Sequence, residues 1–284
     1  MQNQKDTHNH QKKIAVINDF CGFGRCSIAV ALPIISAMHI QCCPLPTAVF
    51  SDHTGFPSFF CTDFTDHMQS YADEWGKLTL RFDGIATGFL GSEKQIDIVK
   101  AFLERFKTEH TKVLVDPVMG DYGALYPTYT SALAARMHEL LGYADLLTPN
   151  LTEACILAGW PYREDFSEAE LEALCQTLAE SGPKSIVISG IHLGGDLGNF
   201  VFSDGKTNMI CTHRIGNYRS GTGDVFSAIL AADLVNGVPL ERSVRKAAEF
   251  ITKTITYTAQ LGIPETDGIC IEQYLWELGK ETQA

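Results

Sequence analysis

The chain lacks an apolar run long enough to cross a membrane, and the segment from Met1 to Lys13 is polar. We therefore expect no membrane span, no secretory signal and a cytoplasmic protein. Basic residues are scarce, since 22 Lys and Arg stand against 34 Asp and Glu and the net charge is −12. Non-specific binding to nucleic acid or to an anionic membrane is disfavoured, because little positive charge is available to neutralise phosphates. A nucleotide stays open as a ligand, since it needs only a local positive potential.

Regular cysteine spacing is also absent. The nine cysteines include adjacent Cys42 and Cys43, and Cys21 and Cys26 five positions apart, but no C-x-x-C motif. Disulfide frameworks and zinc sites have more regular spacing than this. We expect reduced and mostly buried cysteines.

Short apolar strand patterns alternate with helical patterns along the chain. The strand patterns are residues 12–19, 82–89, 112–116, 144–148 and 185–190, and the helical patterns are residues 27–38, 96–106, 131–141, 168–180, 224–236, 240–259 and 271–278. This alternation is typical of βαβ units and predicts a parallel sheet with helices on both faces. Glycines at 194–195 and the pattern at 200–205 predict a hairpin.

The chain shows no internal repeat and no linker, which predicts one domain over residues 13–284 after a disordered tail over residues 1–12. Pro44 and Pro46 interrupt an extended segment at 40–50 and favour an edge strand or a flap. We expect the region from Cys42 to Phe60 to form a small flap over the site.

The sequence Ser220-Gly221-Thr222-Gly223-Asp224 precedes the helical pattern that runs to Asn236. Glycines let a backbone approach a ligand closely, and a turn that opens a helix directs unpaired N–H groups and the positive end of the dipole to one point. The pattern predicts an anion site. A carboxylate would repel an anion bound beside it, so Asp224 is an unexpected residue for anion binding alone. It is a suitable base, however, for accepting the proton of a hydroxyl group that attacks a phosphoryl group. The plain alternative is that Asp224 only starts the helix.

Polar residues follow the other strand patterns, and ligands bind at the carboxyl ends of strands in open α/β sheets. Asp19 is the last residue of the first strand pattern, where its alternative role is to cap a helix. The loop after it resembles a dinucleotide fingerprint, but position 27, where that motif needs glycine, is serine. A dinucleotide-binding oxidoreductase is therefore disfavoured.

An aromatic segment, Phe50-Ser51-Asp52-His53-Thr54-Gly55-Phe56, places rings beside hydroxyl and imidazole groups. Such a set suits a flat heteroaromatic ligand. The alternative is a surface turn packed on two core phenylalanines. A sugar pocket would need more polar groups and fewer aromatic ones, so Phe50, Phe56 and Phe89 disfavour a sugar kinase.

Taken together, the motifs resemble the ribokinase-like superfamily over about residues 13–260. The resemblance rests on the 221–224 turn, on Asp116-Pro117-Val118-Met119-Gly120-Asp121, and on Thr148-Pro149-Asn150 with Glu153. Within the superfamily, residues 50–55 and the sequence Thr87-Gly88-Phe89-Leu90-Gly91-Ser92 look like the pyridoxal kinase branch. The resemblance implies a three-layer α/β/α sandwich with a mostly parallel central sheet and a small β flap.

The resemblance also implies that ATP binds along the carboxyl edge of the sheet, with its transferred phosphoryl group over the N–H groups of Gly221, Thr222 and Gly223. Asp224 would accept the proton of a B6 vitamer's 5′-hydroxymethyl group as that group attacks in line.

Further roles follow from the same resemblance. Ser189 and Gly190 would lie at the nucleotide, and Thr148 and Asn150 would reach phosphate oxygens or metal-bound water. The carboxylates expected to hold Mg²⁺, directly or through water, are Asp116, Asp121 and Glu153; their alternative role is that of ordinary loop residues. The resemblance also places Asp116 and Glu153 among the residues that contact ATP. Members of the superfamily use a monovalent cation such as K⁺, which the composition does not reveal.

For the vitamer, the resemblance implies a hydrogen bond from Thr54, packing by His53 and Phe50 on one face of the ring, and closure by Phe89 on the other. Two positions depart from the better-known pyridoxal kinases, which have serine where this chain has Asp19 and often tyrosine where it has Phe89. An acid at position 19 could pair with a protonated ring nitrogen or accept from the 3-hydroxyl group.

Two alternatives stay open. Asp19 is also similar to the hydroxymethylpyrimidine kinases of the superfamily, so the substrate could be a hydroxymethylpyrimidine. A non-catalytic protein that binds B6 vitamers would not need Asp224 or the two glycines, all of which are present. The resemblance further implies a homodimer formed through the flap edge.

Overall fold

The computed structural model describes residues 7–216 and 219–280. Its main sheet has nine strands in the order β11-β10-β9-β8-β5-β4-β1-β2-β3, and β6 and β7 form a separate antiparallel pair. The strands are β1 (Lys13–Phe23), β2 (Gln41–Asp52), β3 (Cys61–Asp63), β4 (Gly84–Thr87), β5 (Lys112–Val115), β6 (Gly120–Asp121), β7 (Ala124–Leu125), β8 (Leu146–Leu147), β9 (Ser185–Leu193), β10 (Asp196–Ser203) and β11 (Lys206–His213). The six from β9 to β2 in this order are parallel, and only β10, β11 and β3 pair in the antiparallel sense.

Helices cover both faces of the sheet, which confirms the predicted three-layer α/β/α sandwich. The helices are α1 (Ser27–Ala37), α2 (Thr65–Lys77), α3 (Glu93–Phe106), α4 (Ser131–Met137), α5 (Leu151–Ala158), α6 (Glu168–Ala179), α7 (Thr222–Asn236), α8 (Leu240–Gln260) and α9 (Leu275–Lys280). One face of the sheet packs on α2 to α6 and the other on α1, α7, α8 and α9. No helix in residues 7–216 and 219–280 has the length and apolar character needed to cross a bilayer.

The central strands are apolar on both faces because each face is covered. Along β1, Ile14 and Val16 enter the core shared with α1 and α7, whereas Ala15 and Ile17 enter the core shared with α3. This alternation follows from the period of two in a strand. A strand that is apolar on both faces is therefore placed in the middle of the sandwich, where helices cover it on either side.

β1 and β2 continue past the ends of their neighbours. Only Ile14–Ile17 of β1 pair with β4, while Phe20–Phe23 pair with β2 alone. The predicted flap over residues 42–60 is therefore mostly strand β2 of the main sheet. Its projecting part consists of the ends of β1 and β2 with the short strand β3. The predicted first strand, which ended at Asp19, is four residues too short because this projection pairs with β2.

Other differences concern elements with weak sequence patterns. The patterns gave no helix for α2 or α5, and the last helix begins at Leu275 instead of residue 271. Disorder over residues 1–12 is wrong for residues 7–12: Thr7–Asn9 form a 3₁₀ turn, and the Asn9 side chain bonds the backbone of Thr79 and Arg81. Residues 1–6 lie outside the described residues. The 194–205 hairpin is confirmed as β9-β10-β11.

Candidate active site

A cavity of about 620 Å³ runs along the carboxyl ends of the parallel strands. Every site residue named from the sequence lines it: Asp19, Phe50, His53, Thr54, Phe89, Asp116, Asp121, Thr148, Asn150, Glu153, Ser189, Gly190, Gly221, Thr222, Gly223 and Asp224. These residues span more than 200 positions of the chain. They meet because strand ends in a parallel sheet share one edge.

The N-terminus of α7 opens into the middle of this cavity. Gly221 precedes the helix with φ +79°, and a Cβ atom there would lie 1.8 Å from the carbonyl oxygen of Arg25. Gly221 is the N-cap residue and has no side chain to cap the helix, so the N–H groups of Thr222 and Gly223 open toward the cavity that these residues line. A Cβ at Gly223 would meet nothing within 4 Å, which places open space in front of that residue. The turn therefore has the geometry of an anion site.

Asp224 lies in the first turn of α7, and its carboxylate is held from β1 and α1. Asn18 Nδ2 donates to Asp224 Oδ1 at 3.2 Å, and the backbone N–H groups of Ser27 and of Asp224 itself also donate to the carboxylate. Burial, together with the nearby charge of Asp19, raises the pKa of Asp224 to about 6, against the lowering effect of these hydrogen bonds. The carboxyl group of Asp224 therefore titrates closer to neutral pH than that of an exposed aspartate.

Asp19 is 6% exposed and lies where the pairing of β1 with β2 shifts register. Such irregularities re-aim side chains. The thiol of Cys21 donates to Asp19 Oδ2 at 3.3 Å, and Ser27 also bonds the carboxylate. Burial is the main cause of its raised pKa. The serine at position 27, where the dinucleotide motif needs glycine, has φ +53°, a conformation that favours glycine.

Asp116 and Glu153 are buried near each other under the cavity floor. Ser227 Oγ donates to Asp116 Oδ2 at 2.5 Å. Glu153 accepts from the N–H groups of Met119 (3.0 Å) and Asn150 (2.9 Å), one on each carboxylate oxygen. Burial raises the pKa of Asp116 to about 8, and burial and the charge of Asp116 raise that of Glu153. Burial also raises the pKa of Asp121.

This donor set does not fit a magnesium ion held directly by three carboxylates. Within residues 7–216 and 219–280, no three His, Cys, Asp or Glu side chains are arranged to hold a metal. Both oxygens of Glu153 are engaged by the N-terminus of α5, where Glu153 and Asn150 form a capping box. Glu153 thus has a structural role at the start of α5, which the resemblance, with its implied metal binding, did not reveal.

Asn150, Thr148 and Ser189, which the resemblance assigns to the nucleotide, differ in how far they are engaged within the protein. The Asn150 amide donates to the Gly120 carbonyl at 2.7 Å and accepts from the Glu153 N–H at 2.9 Å, so its side chain braces the α5 terminus. Thr148 Oγ1 lies 3.3 Å from Ser227 Oγ. Ser189 pairs with Asn150 in an isolated bridge.

Aromatic side chains form the end of the cavity beside β1. Phe50, 5% exposed, meets the Phe89 ring edge-on at 6.0 Å. His53 stacks obliquely on Phe56 at 4.7 Å, and Thr54 is exposed at the rim. His53 Nε2 donates to the Thr266 carbonyl at 2.6 Å and Nδ1 accepts from the Gly55 N–H at 3.1 Å. Both ring nitrogens are therefore used within the protein, which leaves His53 a ring face for a ligand.

Sequence reasoning missed several residues of this site. Asn18 and Ser227 orient Asp224 and Asp116, and Ser27 bonds both Asp19 and Asp224. Arg219 directly precedes the 220–224 turn, a position that by sequence suits either a phosphate contact or a solvated side chain. It is 9% exposed and donates to the carbonyls of Ile263 and Pro264, which excludes the solvated alternative. The position of Asn18 directly before Asp19 at a strand exit was the only available signal.

Comparison with known proteins gives one family and relatives that match between about two thirds and nine tenths of the chain. Residues 77–268 match the phosphomethylpyrimidine kinase family. A hydroxymethylpyrimidine/phosphomethylpyrimidine kinase of Haemophilus influenzae is 33% identical over 62% of this chain, and the chain spans 65% of that relative's length. A pyridoxine/pyridoxal/pyridoxamine kinase of Bordetella avium is 27% identical over 89% of this chain and 90% of its own.

A solved structure extends the comparison to the tertiary level. A Bacteroides thetaiotaomicron protein described as a phosphomethylpyrimidine kinase, in a crystal form with pyridoxal, is 35% identical. It has a TM-score of 0.91 over 94% of this chain and 96% of its own. The matched family segment contains the carboxylates of the cavity floor and the α7 turn with Asp224. This chain belongs to the phosphomethylpyrimidine kinase family.

Proposed function

We propose that the protein is a kinase that transfers the γ-phosphoryl group of ATP to the 5′-hydroxymethyl group of a B6 vitamer. The observation that carries this proposal is the position of Asp224. Its carboxylate lies in the first turn of α7, beside helix N–H groups that no N-cap side chain engages. It lines the same cavity as Phe50, His53 and Phe89, whose rings form what we call the aromatic recess. A base next to an anion site is what transfer of a phosphoryl group to an alcohol requires.

In this reaction the vitamer's hydroxyl oxygen forms a bond to the γ-phosphorus as the bond from that phosphorus to the β-bridging oxygen breaks, and ADP leaves. Asp224 accepts the hydroxyl proton. Its pKa of about 6 is far below that of an alcohol, so the proton moves late, after the new bond has begun to form. Asn18 fixes the direction of the accepting oxygen through its 3.2 Å hydrogen bond.

The α7 turn stabilises the negative charge on the phosphoryl oxygens. The first N–H groups of the helix point at the cavity without rearrangement, so they act as preorganised donors. Mg²⁺ would neutralise charge on the phosphates and needs few protein ligands. Asp116 and Asp121 are the candidates for reaching its bound waters, because Glu153 is committed to the α5 terminus.

The aromatic recess supports a flat ring as the acceptor. Phe50, Phe89 and His53 offer ring surfaces, and Asp19 is the acid at the same end of the cavity. A raised carboxyl pKa lets Asp19 either share a proton with a pyridine nitrogen or bond a ring hydroxyl. The Bordetella relative, which carries B6 vitamers in its name, also matches more of this chain than the Haemophilus one, 89% against 62%.

A hydroxymethylpyrimidine is the second candidate acceptor. The family name and the 33% identity with the Haemophilus kinase favour it, and such a pyrimidine is also a flat ring that carries a primary alcohol. The transfer chemistry would be the same, and the two acceptors differ in the ring atoms that face Asp19.

ADP release tests both candidates. Purified protein is assayed with ATP and Mg²⁺ against pyridoxal, pyridoxine, pyridoxamine, hydroxymethylpyrimidine and ribose, in K⁺ and in Na⁺, with mass spectrometry of the products. Turnover confined to the three vitamers is the expected result. Turnover of hydroxymethylpyrimidine alone would replace the proposal by its alternative. Binding of vitamers without turnover would leave a vitamer-binding protein and overturn the kinase.

We also propose a homodimer that buries the projecting ends of β1, β2 and β3. Large apolar side chains are exposed there: Phe20 is 40% exposed, Phe23 56%, Val49 39%, Phe59 43% and Phe60 68%. Exposed apolar clusters of this kind are typical of protein interfaces. Light scattering should give twice the 31.2 kDa mass of the chain, and a monomer mass would refute the dimer.

A further inference from the structure

The second half of the cavity lies on the far side of the anion site from the aromatic recess. α7 packs on β4 and β5, and β10 is five positions from β1 in the sheet, or roughly 24 Å. If the vitamer lies at β1 and the transferred group at the α7 turn, the nucleoside must extend toward β9, β10 and β11. This inference therefore rests on the proposed kinase function.

Asn199 of β10 faces this part of the cavity. Val201 enters the core shared with α7 and α8, whereas Phe200 and Phe202 enter the opposite core. Because side chains alternate along a strand, Asn199 lies on the α7 side with Val201. Its partner across the hairpin, Ile210, is in the same core.

Apolar side chains from three elements line the same cavity as Asn199: Leu197 of β10, Phe226 of α7, and Ala248 and Ile251 of α8. Thr212 of β11, which pairs with Leu197, also lines it. The hydroxyl of Thr252 donates to the Ala248 carbonyl of its own helix at 2.8 Å. Apolar side chains can hold the faces of a purine, and the Asn199 amide can meet its polar edge.

The Asn199 amide lacks a partner. It is 7% exposed, yet across residues 7–216 and 219–280 its side chain makes no hydrogen bond. Other asparagines of the cavity differ, since Asn18 and Asn150 use both ends of their amides. The amide atoms are open to the cavity, since they are not among the fully buried polar atoms that lack a partner in the described residues. A donor and an acceptor are therefore available to a ligand there. The pairing of β10 with β9 shifts register between Gly198 and Phe200, at Asn199. This irregularity concerns the backbone and does not explain why the side-chain amide makes no hydrogen bond.

We propose that Asn199 is the residue that recognises the base of the phosphoryl donor. Its carbonyl oxygen accepts from the 6-amino group of adenine, and its NH₂ group donates to an adjacent ring nitrogen. An asparagine amide has the donor and acceptor spacing that matches this edge of adenine. The apolar wall holds the ring, and the amide selects the 6-amino purine.

Binding in the absence of vitamer tests this assignment by isothermal titration calorimetry. The probes are ATP and purine riboside 5′-triphosphate, which has hydrogen in place of the 6-amino group. We expect the unmodified protein to bind ATP tighter by about tenfold or more, the worth of one buried hydrogen bond. Asn199→Leu should weaken ATP binding by a similar factor and bind the two nucleotides equally.

Two further variants make the result decisive. Asn199→Asp keeps the oxygen acceptor but loses the NH₂ group, so it should weaken ATP binding and retain the preference for the 6-amino base. Asn208→Leu is the matched control, because Asn208 lies on β11 of the same hairpin, bonds Glu241 and does not line the cavity. Its discrimination should equal that of the unmodified protein.

Equal binding of the two nucleotides by the unmodified protein overturns the proposal, as does full discrimination in a folded Asn199→Leu variant. Failure of the kinase function is separate. It would appear as nucleotide discrimination without phosphoryl transfer to any acceptor, whereas failure of the Asn199 assignment would leave turnover intact with no dependence on the 6-amino group.

Discussion

Asn18 and Asp224, 206 residues apart in sequence, are joined by a hydrogen bond of 3.2 Å from the Asn18 amide to the Asp224 carboxylate. The other end of the same amide accepts from the N–H groups of Asp19 (2.9 Å) and Phe89 (2.8 Å). One side chain therefore ties the proposed base to the strand that carries Asp19 and to the loop that closes the aromatic recess. We infer that the Asn18 side chain holds Asp224 and the bound phosphoryl acceptor at a fixed distance and orientation relative to each other.

Asp224→Asn removes the proposed base while keeping the size of the side chain. We expect turnover to fall by about a hundredfold or more, because a positioned base contributes that much to proton transfer. ATP affinity, measured by calorimetry, should stay within about threefold, since the N–H groups of α7 are untouched. Unchanged turnover would remove Asp224 from the mechanism.

The pH dependence of kcat/KM should report the Asp224 carboxyl group. Below its pKa of about 6 the group is protonated and cannot accept a proton, so activity should fall as the pH drops through 6. Asn18→Asp keeps the acceptor for the Phe89 N–H but replaces the donor to Asp224 by a negative charge. That change raises the pKa of Asp224, so the acid limb should move upward by about one pH unit or more.

A control for this shift lies at the other end of α7. Asn236→Asp makes the same substitution next to Lys12, whose ammonium group already donates to the Asn236 side chain. Its acid limb should coincide with that of the unmodified protein. An Asn18→Asp profile with an unchanged limb would contradict the assignment of the limb to Asp224.

Gly221 and Gly223 should respond differently to the same substitution. Gly221→Ala places a methyl group 1.8 Å from the Arg25 carbonyl at a φ of +79°, so the turn must shift and Tm should fall. Gly223→Ala has free space for its methyl group in the protein, so Tm should hold. That methyl group occupies the proposed phosphate position, and ATP affinity should fall by about tenfold or more. Equal thermal shifts for both variants would contradict this division.

Glu153→Gln separates a structural role from metal binding. The carboxylate accepts two backbone N–H bonds, and glutamine can replace only one of them without turning a donor toward an N–H group. The free energy of unfolding in urea should fall by about 1–3 kcal/mol. The Mg²⁺ concentration for half-maximal turnover should stay unchanged, and a several-fold rise in it would assign Glu153 to the metal.

How much the sequence could predict differs from residue to residue. The α/β class, the helix that begins beside Asp224 and the strand that ends at Asp116 follow from apolar periodicity and from glycine-rich turns, which are local signals. α2, in contrast, gave no helical pattern, because it has few apolar residues, with Met68 and Ala72 its main core contacts. Its secondary structure depends on packing partners far away in sequence.

What the sequence determined by itself is which residue types stand at the strand ends and at the start of α7, because hydrophobic period and turn chemistry are encoded over a few neighbouring residues. Only the tertiary structure decided their partners. It engaged Glu153 and Asn150 with the α5 terminus and both nitrogens of His53 with backbone groups. It set Asn18 against Asp224, and it left the Asn199 amide open to the cavity with no hydrogen bond to the described residues. Hydrogen-bond satisfaction depends on which atoms the fold brings within about 3 Å, and that is a property of the whole chain.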